Sequence, residues 1–274
     1  MRRRSQLIPW KAAGRISEQM SSGDDVVRRT GWVFNNAVGD DLTLAEFVAT
    51  GDVEALSYLE LFGLRQPAGA RHTLVEIGAG IGRMTCAFTR EFSAVVACDL
   101  DRGFLERCYE TVGRFGRADR LRTLEVPDGR TLDLPPNVAD VAFSYITLQH
   151  CAEDDALELA SEAVRVVRPG GKVALNFRGP SPTDLIVVPL GAAVRMLYRV
   201  PLLGDRLSRR RLPTRLAWQV SRLHPDEVIG PLVPQLTDIE LWVAPTSRLT
   251  TRDGTIRTFA GINAHHWWLV AVVT

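Results

Sequence analysis

The sequence predicts an α/β protein built on a doubly wound, seven-stranded and mostly parallel sheet. From residue 73 onward, short apolar segments alternate with longer segments of helical period, which is typical of strand–helix–strand units. The apolar segments do not alternate strictly with polar residues, as expected for strands that helices cover on both faces. The first of them runs directly into a glycine-rich turn, and parallel sheets bind their ligands at the carboxyl ends of strands.

Seven segments are predicted as strands because each is short, apolar and bounded by turn or helix signals. They span Thr73–Ile77, Ser93–Asp99, Leu121–Val126, Ala139–Tyr145, Lys172–Phe177, Asp238–Val243 and His266–Val273. Apolar residues at helical spacing predict helices at Gly82–Phe92, Arg102–Phe115, Asp154–Val167 and Pro225–Leu236. The triplet Pro169-Gly170-Gly171 is expected to end the third of these helices, and Asp253-Gly254 is expected to form a turn.

Two further segments flank this alternating pattern. Residues 1–70 are predicted as a helical N-terminal extension of the same domain, with helix over Asp41–Leu64 and a break at Gly51-Asp52. Residues 71–274 form the main part of the domain. Within it, residues 180–222 lack a regular pattern, and long segments of that kind in a compact domain are commonly functional. We therefore expect 180–222 to be a helical lid over the substrate.

Composition restricts the class of protein. Of 274 residues, 46% are hydrophobic and 24% charged, as in ordinary globular proteins, and the net charge of +1 gives no reason to expect a nucleic-acid partner. The most apolar window, 185–203, is interrupted by Pro and Arg and is too short to predict a transmembrane segment. The N-terminus has no apolar region typical of a signal peptide. Four cysteines without metal or CxxC spacing predict reduced thiols in a cytoplasmic protein.

The predicted lid is rich in arginine. It contains eight arginines: Arg195, Arg199, Arg206, Arg209, Arg210, Arg211, Arg215 and Arg222. Two interpretations stay open: a pair of solvated amphipathic helices, or contact with an anionic or polyhydroxylated acceptor or with a membrane surface through 195–222.

The first predicted strand and the turn after it read VEIGAGIGR, from Val75 to Arg83. Glycines at 78, 80 and 82 let the backbone turn tightly and approach a ligand closely. The helix that follows presents free N–H groups to the same ligand. A glycine-rich turn alone does not identify the ligand, because dinucleotide-binding proteins have one as well.

Two details favour S-adenosylmethionine over NAD. The spacing is GxGxG, where dinucleotide sites have GxGxxG. An acid, Glu76, stands two residues before the first glycine, where it can meet the cationic end of a cofactor that carries an amino acid. Asp99, at the end of the second strand, can accept hydrogen bonds from both ribose hydroxyls. NAD proteins share that last feature, so it does not discriminate.

With these features the sequence resembles the class I S-adenosylmethionine-dependent methyltransferases. VEIGAGIGRMT is similar to the family's first motif, and VVACDLDRGFLERC to its second strand, ribose-binding acid and next helix. VPDGRTLDLP, ADVAFSYITLQH and VRVVRPGGKVALNF are similar to the adenine-contacting segment, the fourth strand and the fifth-strand motif. The resemblance covers about Thr73–Phe177, and its motifs occur in the family's order.

The resemblance implies a role for each matching position. Gly78, Ala79, Gly80 and Gly82 line the methionine and ribose, and Glu76 lies near the methionine amino group. Asp99 holds the ribose, Leu100 lies beside the adenine, and Asp128 and Gly129 lie at the adenine rim. Tyr145 lines the sulfonium. Two alternatives stay open: Asp128 as an ordinary loop acid, and Tyr145 as a packing residue.

His150 is the candidate general base. It follows the fourth predicted strand in TLQH, at the ligand-binding end of the sheet. The ordinary pKa of histidine suits proton transfer near neutrality. Many relatives have a histidine at this position, either as the base or in a structural role, and both roles stay open. Some sugar methyltransferases use Mg²⁺, but no ligand set in this sequence indicates a metal.

The sequence therefore predicts a methyltransferase that uses S-adenosylmethionine, leaves S-adenosylhomocysteine and methylates a hydroxyl of a small molecule. A diffuse similarity to actinobacterial methyltransferases, carried by TLQH, the arginine-rich composition and HWWLVA, indicates a sugar or oligosaccharide as acceptor. The alternatives are an N- or C-methyltransferase of another small metabolite, a non-catalytic S-adenosylmethionine-binding protein and, from a third class, an NAD(P)-dependent oxidoreductase.

Overall fold

The computed structural model describes residues 20, 22–34, 42–65, 71–198, 200, 203, 207, 212, 216–217 and 221–274. The strands are β1 Thr73–Ile77, β2 Ala94–Asp99, β3 Leu121–Glu125, β4 Ala139–Ser144, β5 Val167–Arg178, β6 Leu236–Val243, β7 Thr255–Thr258 and β8 His266–Val273. The helices are α1 Gly23–Phe34, α2 Leu44–Leu61, α3 Thr85–Glu91, α4 Arg102–Phe115, α5 Glu153–Val166, α6 Asp184–Leu197 and α7 Pro225–Leu232. Single 3₁₀ turns lie at Ala118–Arg120, Leu148–His150 and Val233–Gln235.

The strands form one sheet in the order β3-β2-β1-β4-β5-β8-β6-β7. The five strands from β3 to β5 are parallel. β8 runs antiparallel to both β5 and β6, and β7 pairs parallel with β6. The chain therefore winds outward in both directions from the junction of β1 and β4. This confirms the predicted doubly wound, mostly parallel sheet, with eight strands among the described residues where the sequence predicted seven.

Successive residues of the central strands face opposite layers, because side chains alternate along a strand. In β1, Val75 and Ile77 belong to an apolar core that also contains residues of α5 and α7. Leu74 belongs to a second core with residues of α2 and α3. Trp267 and Trp268, the second and third residues of β8, divide in the same way between the two cores and are fully buried. Both faces of the sheet are therefore covered.

The prediction that Gly51-Asp52 divides the N-terminal helix is wrong. One helix, α2, runs through both residues, and it starts with a capping box between Thr43 and Glu46. Gly51 is buried, and a Cβ atom built on it would lie 2.2 Å from the carbonyl oxygen of Arg83. The glycine thus allows the helix to approach the backbone that follows the glycine-rich turn.

Two further boundaries differ from the prediction. The triplet Pro169-Gly170-Gly171 does not separate α5 from β5 as a loop, because β5 already begins at Val167. It lies in an irregular first part of β5, where the register against β4 shifts between Ala139 and Val141. The additional strand, β7, follows the predicted turn at Asp253-Gly254, and its four residues are all exposed. It has no apolar run by which the sequence could reveal it.

The predicted lid is described in part. Its first half contains α6, a helix with Pro189 in its interior. Most of 199–220, which holds six of the eight arginines named above, lies outside the described residues. In the part of the chain that is described, no helix is long and apolar enough to cross a membrane.

Substitution of Gly51 by alanine tests the close approach between α2 and the Arg83 backbone. We expect Gly51→Ala to lower the free energy of unfolding by about 1–3 kcal/mol, because a carbonyl oxygen occupies the place of the new methyl group. Urea denaturation followed by circular dichroism measures the change.

The matched control is Gly113→Ala in α4. A Cβ atom there meets nothing within 4 Å, so the better helix propensity should stabilise the protein by about 0.5–1 kcal/mol. Equal stability of Gly51→Ala and the unsubstituted protein would contradict the packing described.

Candidate functional site

A cavity of about 310 Å³ opens at the carboxyl ends of β1, β2 and β4. It lies where the strand order reverses, since the chain leaves β1 toward β2 on one side and reaches β4 on the other. Nine residues of the predicted site line it: Glu76, Gly78, Ala79, Gly80, Asp99, Leu100, Gly129, Tyr145 and His150. The fold thus brings together side chains that lie up to 74 positions apart in the sequence.

The glycine-rich turn forms one wall of the cavity. Its backbone is tied to β2, because the N–H groups of Gly78 and Ala79 both donate to the carbonyl oxygen of Cys98, at 2.8 and 3.0 Å. Gly78 has a φ of +83°, and a Cβ atom on it would lie 2.1 Å from Oγ1 of Thr147. Any larger residue would therefore push the turn away from the loop that carries His150.

The structure places Gly82 away from the cavity wall. It does not line the cavity, and its φ is +91°. A Cβ atom on it would lie 3.1–3.2 Å from three atoms of Cys108, in α4. Gly82 lets the end of the turn pack against α4, because it has no side chain. It is buried and offers no exposed surface to a ligand.

Glu76 lies in the cavity wall at the end of β1 and is only 5% exposed. Its Oε2 accepts a hydrogen bond of 2.6 Å from the hydroxyl of Thr85, the first residue of α3. Burial raises the pKa of the Glu76 carboxyl from 4.5 to about 7, although Thr85 and Arg83 both act to lower it. A cationic group placed in the cavity would favour the ionised carboxylate.

Asp99 ends β2 and faces the same cavity. Its Oδ2 accepts from the N–H of Gly80 at 2.9 Å, and its Oδ1 accepts from the N–H of Asp101 at 3.0 Å. Burial raises the pKa of the Asp99 carboxyl to about 6, against the lowering effect of those backbone hydrogen bonds. The backbone thus fixes both oxygens in direction while each keeps lone-pair capacity for a ligand hydroxyl.

Beyond Asp99 the cavity becomes apolar. Leu100, Phe104, Val126 and Leu159 line it there, and Gly129 borders it with a φ of +67°. Such a slot suits a flat aromatic ring, because burial of its faces is favourable and needs no polar partner.

Asp128 is not part of this wall. Its Oδ1 accepts hydrogen bonds from the N–H groups of Arg130 and Thr131, both at 3.0 Å, and the residue does not line the cavity. This favours the alternative interpretation of Asp128 as an acid that shapes its own loop.

Tyr145 combines the two interpretations left open for it. It lines the cavity, and its ring also stacks on Trp268 with centroids 5.4 Å apart and an interplanar angle of 9°. Burial, together with the neighbouring Tyr58, raises the pKa of the Tyr145 hydroxyl well above its usual range. Tyr145 therefore remains a neutral wall residue and is unsuited to the role of a base.

The loop after Tyr145 is strained. Ile146 has a φ of +53°, an uncommon conformation for a β-branched residue. Asn176 of β5, which is fully buried, holds this conformation: its Oδ1 accepts from the N–H of Ile146 at 3.3 Å, and its Nδ2 donates to the carbonyl of Trp267 at 3.2 Å. Strain held by a buried side chain is typical of functional loops, and this loop lines the cavity.

His150 lies at the end of the same loop, on a 3₁₀ turn in which its N–H donates to the carbonyl of Thr147 at 2.8 Å. It lines the cavity and is 9% exposed. His266, the first residue of β8, lies near His150. Burial, with smaller effects from Arg178 and His150, lowers the pKa of His266 to about 4. His266 is therefore a poor proton acceptor at neutral pH, and His150 is the better placed of the two histidines.

Several residues of the site did not stand out in the sequence. Thr85 donates to Glu76, and the hydroxyl of Thr147 donates to the carbonyl of Gly78 at 3.4 Å. Arg83 also lines the cavity, and its guanidinium is paired with Glu54 of α2 at 2.6 Å. Threonine at a helix start and an arginine after a glycine turn are common, so no residue type signals these contacts.

In the described part of the chain, no three histidine, cysteine, aspartate or glutamate side chains come together in a manner suited to a metal ion. Cys86, Cys98 and Cys108 are buried thiols, and Cys151 is half-buried.

Comparison with known proteins identifies the fold, and a family model matches part of the chain. Residues 75–175 match the family model described as a methyltransferase domain. This segment begins in β1 and ends in β5, so it contains the glycine-rich turn, Asp99 and His150. Among curated proteins, the chain is similar to methyltransferase tpcM of Aspergillus fumigatus, with 31% identity over 121 residues that make up 44% of this chain and 35% of that protein. The chain spans between 22% and 35% of the length of the first curated relatives that it matches.

Two solved structures are similar along nearly the whole chain. One is a protein of Methanococcus maripaludis assigned as an S-adenosyl-L-methionine-dependent methyltransferase, with a TM-score of 0.52, 14% identity and coverage of 100% of this chain and 97% of that one. The other is phosphoethanolamine N-methyltransferase 1 of Haemonchus contortus in complex with phosphoethanolamine and S-adenosylhomocysteine. Its TM-score is 0.54 at 15% identity, with coverage of 97% and 50%. The fold is the Rossmann-like methyltransferase fold.

Replacement of Glu76 by glutamine tests the burial of the carboxylate. The folded state holds the pKa of Glu76 at about 7, above 4.5 in the unfolded chain, so the charged form destabilises the protein as pH rises. This destabilisation is absent below pH 4.5 and complete above pH 7. We expect Glu76→Gln to raise the melting temperature at pH 8, and the difference to fade toward pH 5.

Glu106→Gln is the matched control, because Glu106 lies on the surface of α4 with a side chain 66% exposed. It should change the melting temperature little at either pH. A Glu76→Gln variant less stable than the unsubstituted protein at pH 8 would contradict the described environment of the carboxylate.

Proposed function

We propose that this protein binds S-adenosylmethionine in the cavity and transfers its methyl group to a hydroxyl of a small molecule. The observation that carries the proposal is the pair of carboxylates, buried Glu76 and half-buried Asp99, that lie beside a glycine-rich turn and an apolar slot. The cofactor has a complementary arrangement: an ammonium group at one end, a ribose with two hydroxyls in the middle and an adenine ring at the other end. The residues present therefore fit the group.

Of the two acids, Glu76 argues against a dinucleotide. In dinucleotide sites the diphosphate lies against the glycine-rich turn and the helix after it. Here Glu76 is buried in the wall beneath that turn, and its charge would repel a diphosphate. A cation in the same place would be stabilised, and the cost of burying the carboxylate would be partly offset.

Methyl transfer requires the protein mainly to position the acceptor and to transfer a proton. When bound, the cofactor supplies a methyl group on a positively charged sulfur, which needs no further activation. The Tyr145–Cys151 loop borders the cavity and determines where an acceptor can lie. A neutral hydroxyl must lose its proton as the new carbon–oxygen bond forms, and the imidazole of His150 is placed to take it. The products are the methylated acceptor, protonated His150 and S-adenosylhomocysteine.

A sugar or oligosaccharide is the acceptor class that we propose to examine first. This choice rests on the resemblance of TLQH and HWWLVA to actinobacterial methyltransferases. An amine is the second candidate, since a structural neighbour is a phosphoethanolamine N-methyltransferase. The two classes differ in their need for a base, because an amine that reacts as the free base does not depend on His150 for deprotonation during bond formation.

Calorimetric titration with S-adenosylhomocysteine, with NADH as the comparison ligand, tests the cofactor. We expect micromolar binding of the first and none of the second. Asp99→Asn should weaken the binding by roughly 10–100-fold, because a charge-assisted hydrogen bond to the ribose is lost.

Asp128→Asn is the matched control, since Asp128 does not line the cavity. The affinity of this variant for S-adenosylhomocysteine should stay within about twofold of that of the unsubstituted protein. Binding of NADH alone would overturn the proposal, and equal losses in the two variants would overturn the role of Asp99.

His150→Ala tests the base. In a screen of sugars and short oligosaccharides, the variant should turn over an accepted substrate roughly 10²–10⁴ times more slowly, with nearly unchanged affinity for S-adenosylhomocysteine. His265→Ala, at an exposed position before β8, should change neither quantity. Unchanged turnover of His150→Ala would remove His150 from the base role and favour a nitrogen acceptor.

A further inference from the structure

Helix α6 carries the largest group of exposed apolar side chains in the described part of the chain. We call these residues the α6 apolar surface: Leu185, Ile186, Val187, Val188, Leu190, Met196 and Leu197. Leu185 is 85% exposed, Ile186 73% and Met196 66%. These seven make up half of a 14-residue helix, so water contacts much of the apolar surface of α6.

Exposed apolar residues elsewhere in the described chain are scattered. Val200, Leu203 and Leu212 follow α6 in the chain, and the others, Val53, Tyr109, Val138 and Ile256, lie on four separate elements or loops. Single apolar residues on a surface are normal, whereas a contiguous exposed group marks an interaction site. The concentration on α6 therefore needs a partner to explain it.

The helix is fixed to the body at two places and exposes the rest. At its start, Asp184 pairs with Arg178 at 3.1 Å and with Arg222 at 2.7 Å, and it accepts the N–H of Ser181 at 2.8 Å. Further along, Gly191 is the one buried residue of α6, and a Cβ atom on it would lie 2.6 Å from the carbonyl oxygen of Leu216. The apolar surface is thus held in place on the outside of the molecule.

The charge of the adjoining sequence is strongly positive. Residues 185–222 contain eight arginines and a single acid, Asp205, for a net charge of +7. The whole chain has a net charge of +1, so the remaining residues carry −6. The positive charge is therefore concentrated in the segment that also exposes the apolar helix.

We propose that the α6 apolar surface docks this protein on an anionic lipid bilayer, to which the net charge of +7 over 185–222 attracts it. The apolar side chains of α6 enter the boundary between headgroups and acyl chains. The helix lies in the surface, since its 14 residues are fewer than the about 20 needed to span a bilayer.

A lipid surface fits these features better than a second copy of the chain. Two copies that met through α6 would bring two segments of net charge +7 together, and like charges at close range repel. An anionic bilayer offers the opposite charge together with an apolar layer beneath it. Each arginine near such a surface improves binding roughly fivefold.

Docking would also orient the candidate active site. α6 follows β5 at the carboxyl edge of the sheet, the edge at which His150 and the cavity lie. The ion pair between Arg178, at the end of β5, and Asp184 connects that edge to the docking helix. Acceptors held at the lipid surface would therefore lie on the side of the molecule that carries the base.

Vesicle flotation of the full chain tests the proposal. The vesicles are phosphatidylcholine alone, or phosphatidylcholine with 30% phosphatidylglycerol, each in 0.1 M and 0.5 M salt. We expect at least tenfold stronger binding to the anionic vesicles at low salt, and most of that gain to disappear at high salt.

Two variants separate the apolar and the charged contributions. Leu185→Gln with Ile186→Gln removes apolar surface, and Arg209→Gln, Arg210→Gln and Arg211→Gln remove charge. Each set should weaken binding to anionic vesicles at least tenfold. The matched control is Val53→Gln with Tyr109→Gln, which removes exposed apolar side chains elsewhere and should change binding less than twofold. Titration with S-adenosylhomocysteine and circular dichroism show that each variant is folded.

Equal binding to both vesicle types, no binding to either, or an unchanged affinity of the two variants would overturn the proposal. So would a dimer in light scattering without lipid that Leu185→Gln with Ile186→Gln dissociates, because the surface would then be an interface between copies. If the unsubstituted protein does not bind S-adenosylhomocysteine, the proposed function is overturned and this inference still stands.

Discussion

Two carboxylates lie in the wall of a cavity, where they have little contact with water. Much of the surrounding structure supports them. Glu76 is the last residue but one of β1 and Asp99 ends β2, and the two strands are paired in parallel. The glycine-rich turn passes between them, donates to the carbonyl of Cys98 and places the Gly80 N–H on Asp99. Burial keeps both groups only weakly acidic, with pKa values of about 7 and 6. Under the proposed function, a bound cation would favour the charged form of Glu76 and offset part of the stability lost there.

The other half of the cavity depends on the same turn. Gly78 approaches Thr147 so closely that no side chain fits between them, and this contact sets the distance from the turn to the His150 loop. That loop is strained at Ile146, and the buried amide of Asn176 holds it from the neighbouring strand. The candidate base is thus positioned by backbone contacts on one side and by a buried hydrogen bond on the other. A rigid loop of this kind can orient an acceptor, which is where much of the rate enhancement of group transfer arises.

The sequence predicted the central sheet well because its signals are local. Short apolar strands, amphipathic helices and a glycine-rich turn can each be identified within about ten residues. It failed where a residue has its role through a distant contact. Gly51 is typical of a helix break, yet it is the place where α2 meets the Arg83 backbone.

Gly82 and Asp128 match a cofactor motif by position, but one packs on Cys108 and the other bonds its own loop. Thr85 and Thr147 have no distinguishing pattern, although one donates to Glu76 and the other to the carbonyl of Gly78. The strand β7 was missed because it is short and exposed and contributes nothing to the core.

The state of the two carboxylates gives the most direct test of the account. S-adenosylhomocysteine is titrated at pH 6.5 in two buffers of different ionisation enthalpy, and the difference in heat gives the number of protons exchanged. In the free protein Glu76 is largely protonated at this pH and Asp99 partly so. Ligand ammonium and hydroxyl groups lower both pKa values, so the account predicts release of about one proton on binding, and less in Glu76→Gln. Binding with no proton release, or with proton uptake, would contradict the claim that these carboxylates receive the ligand.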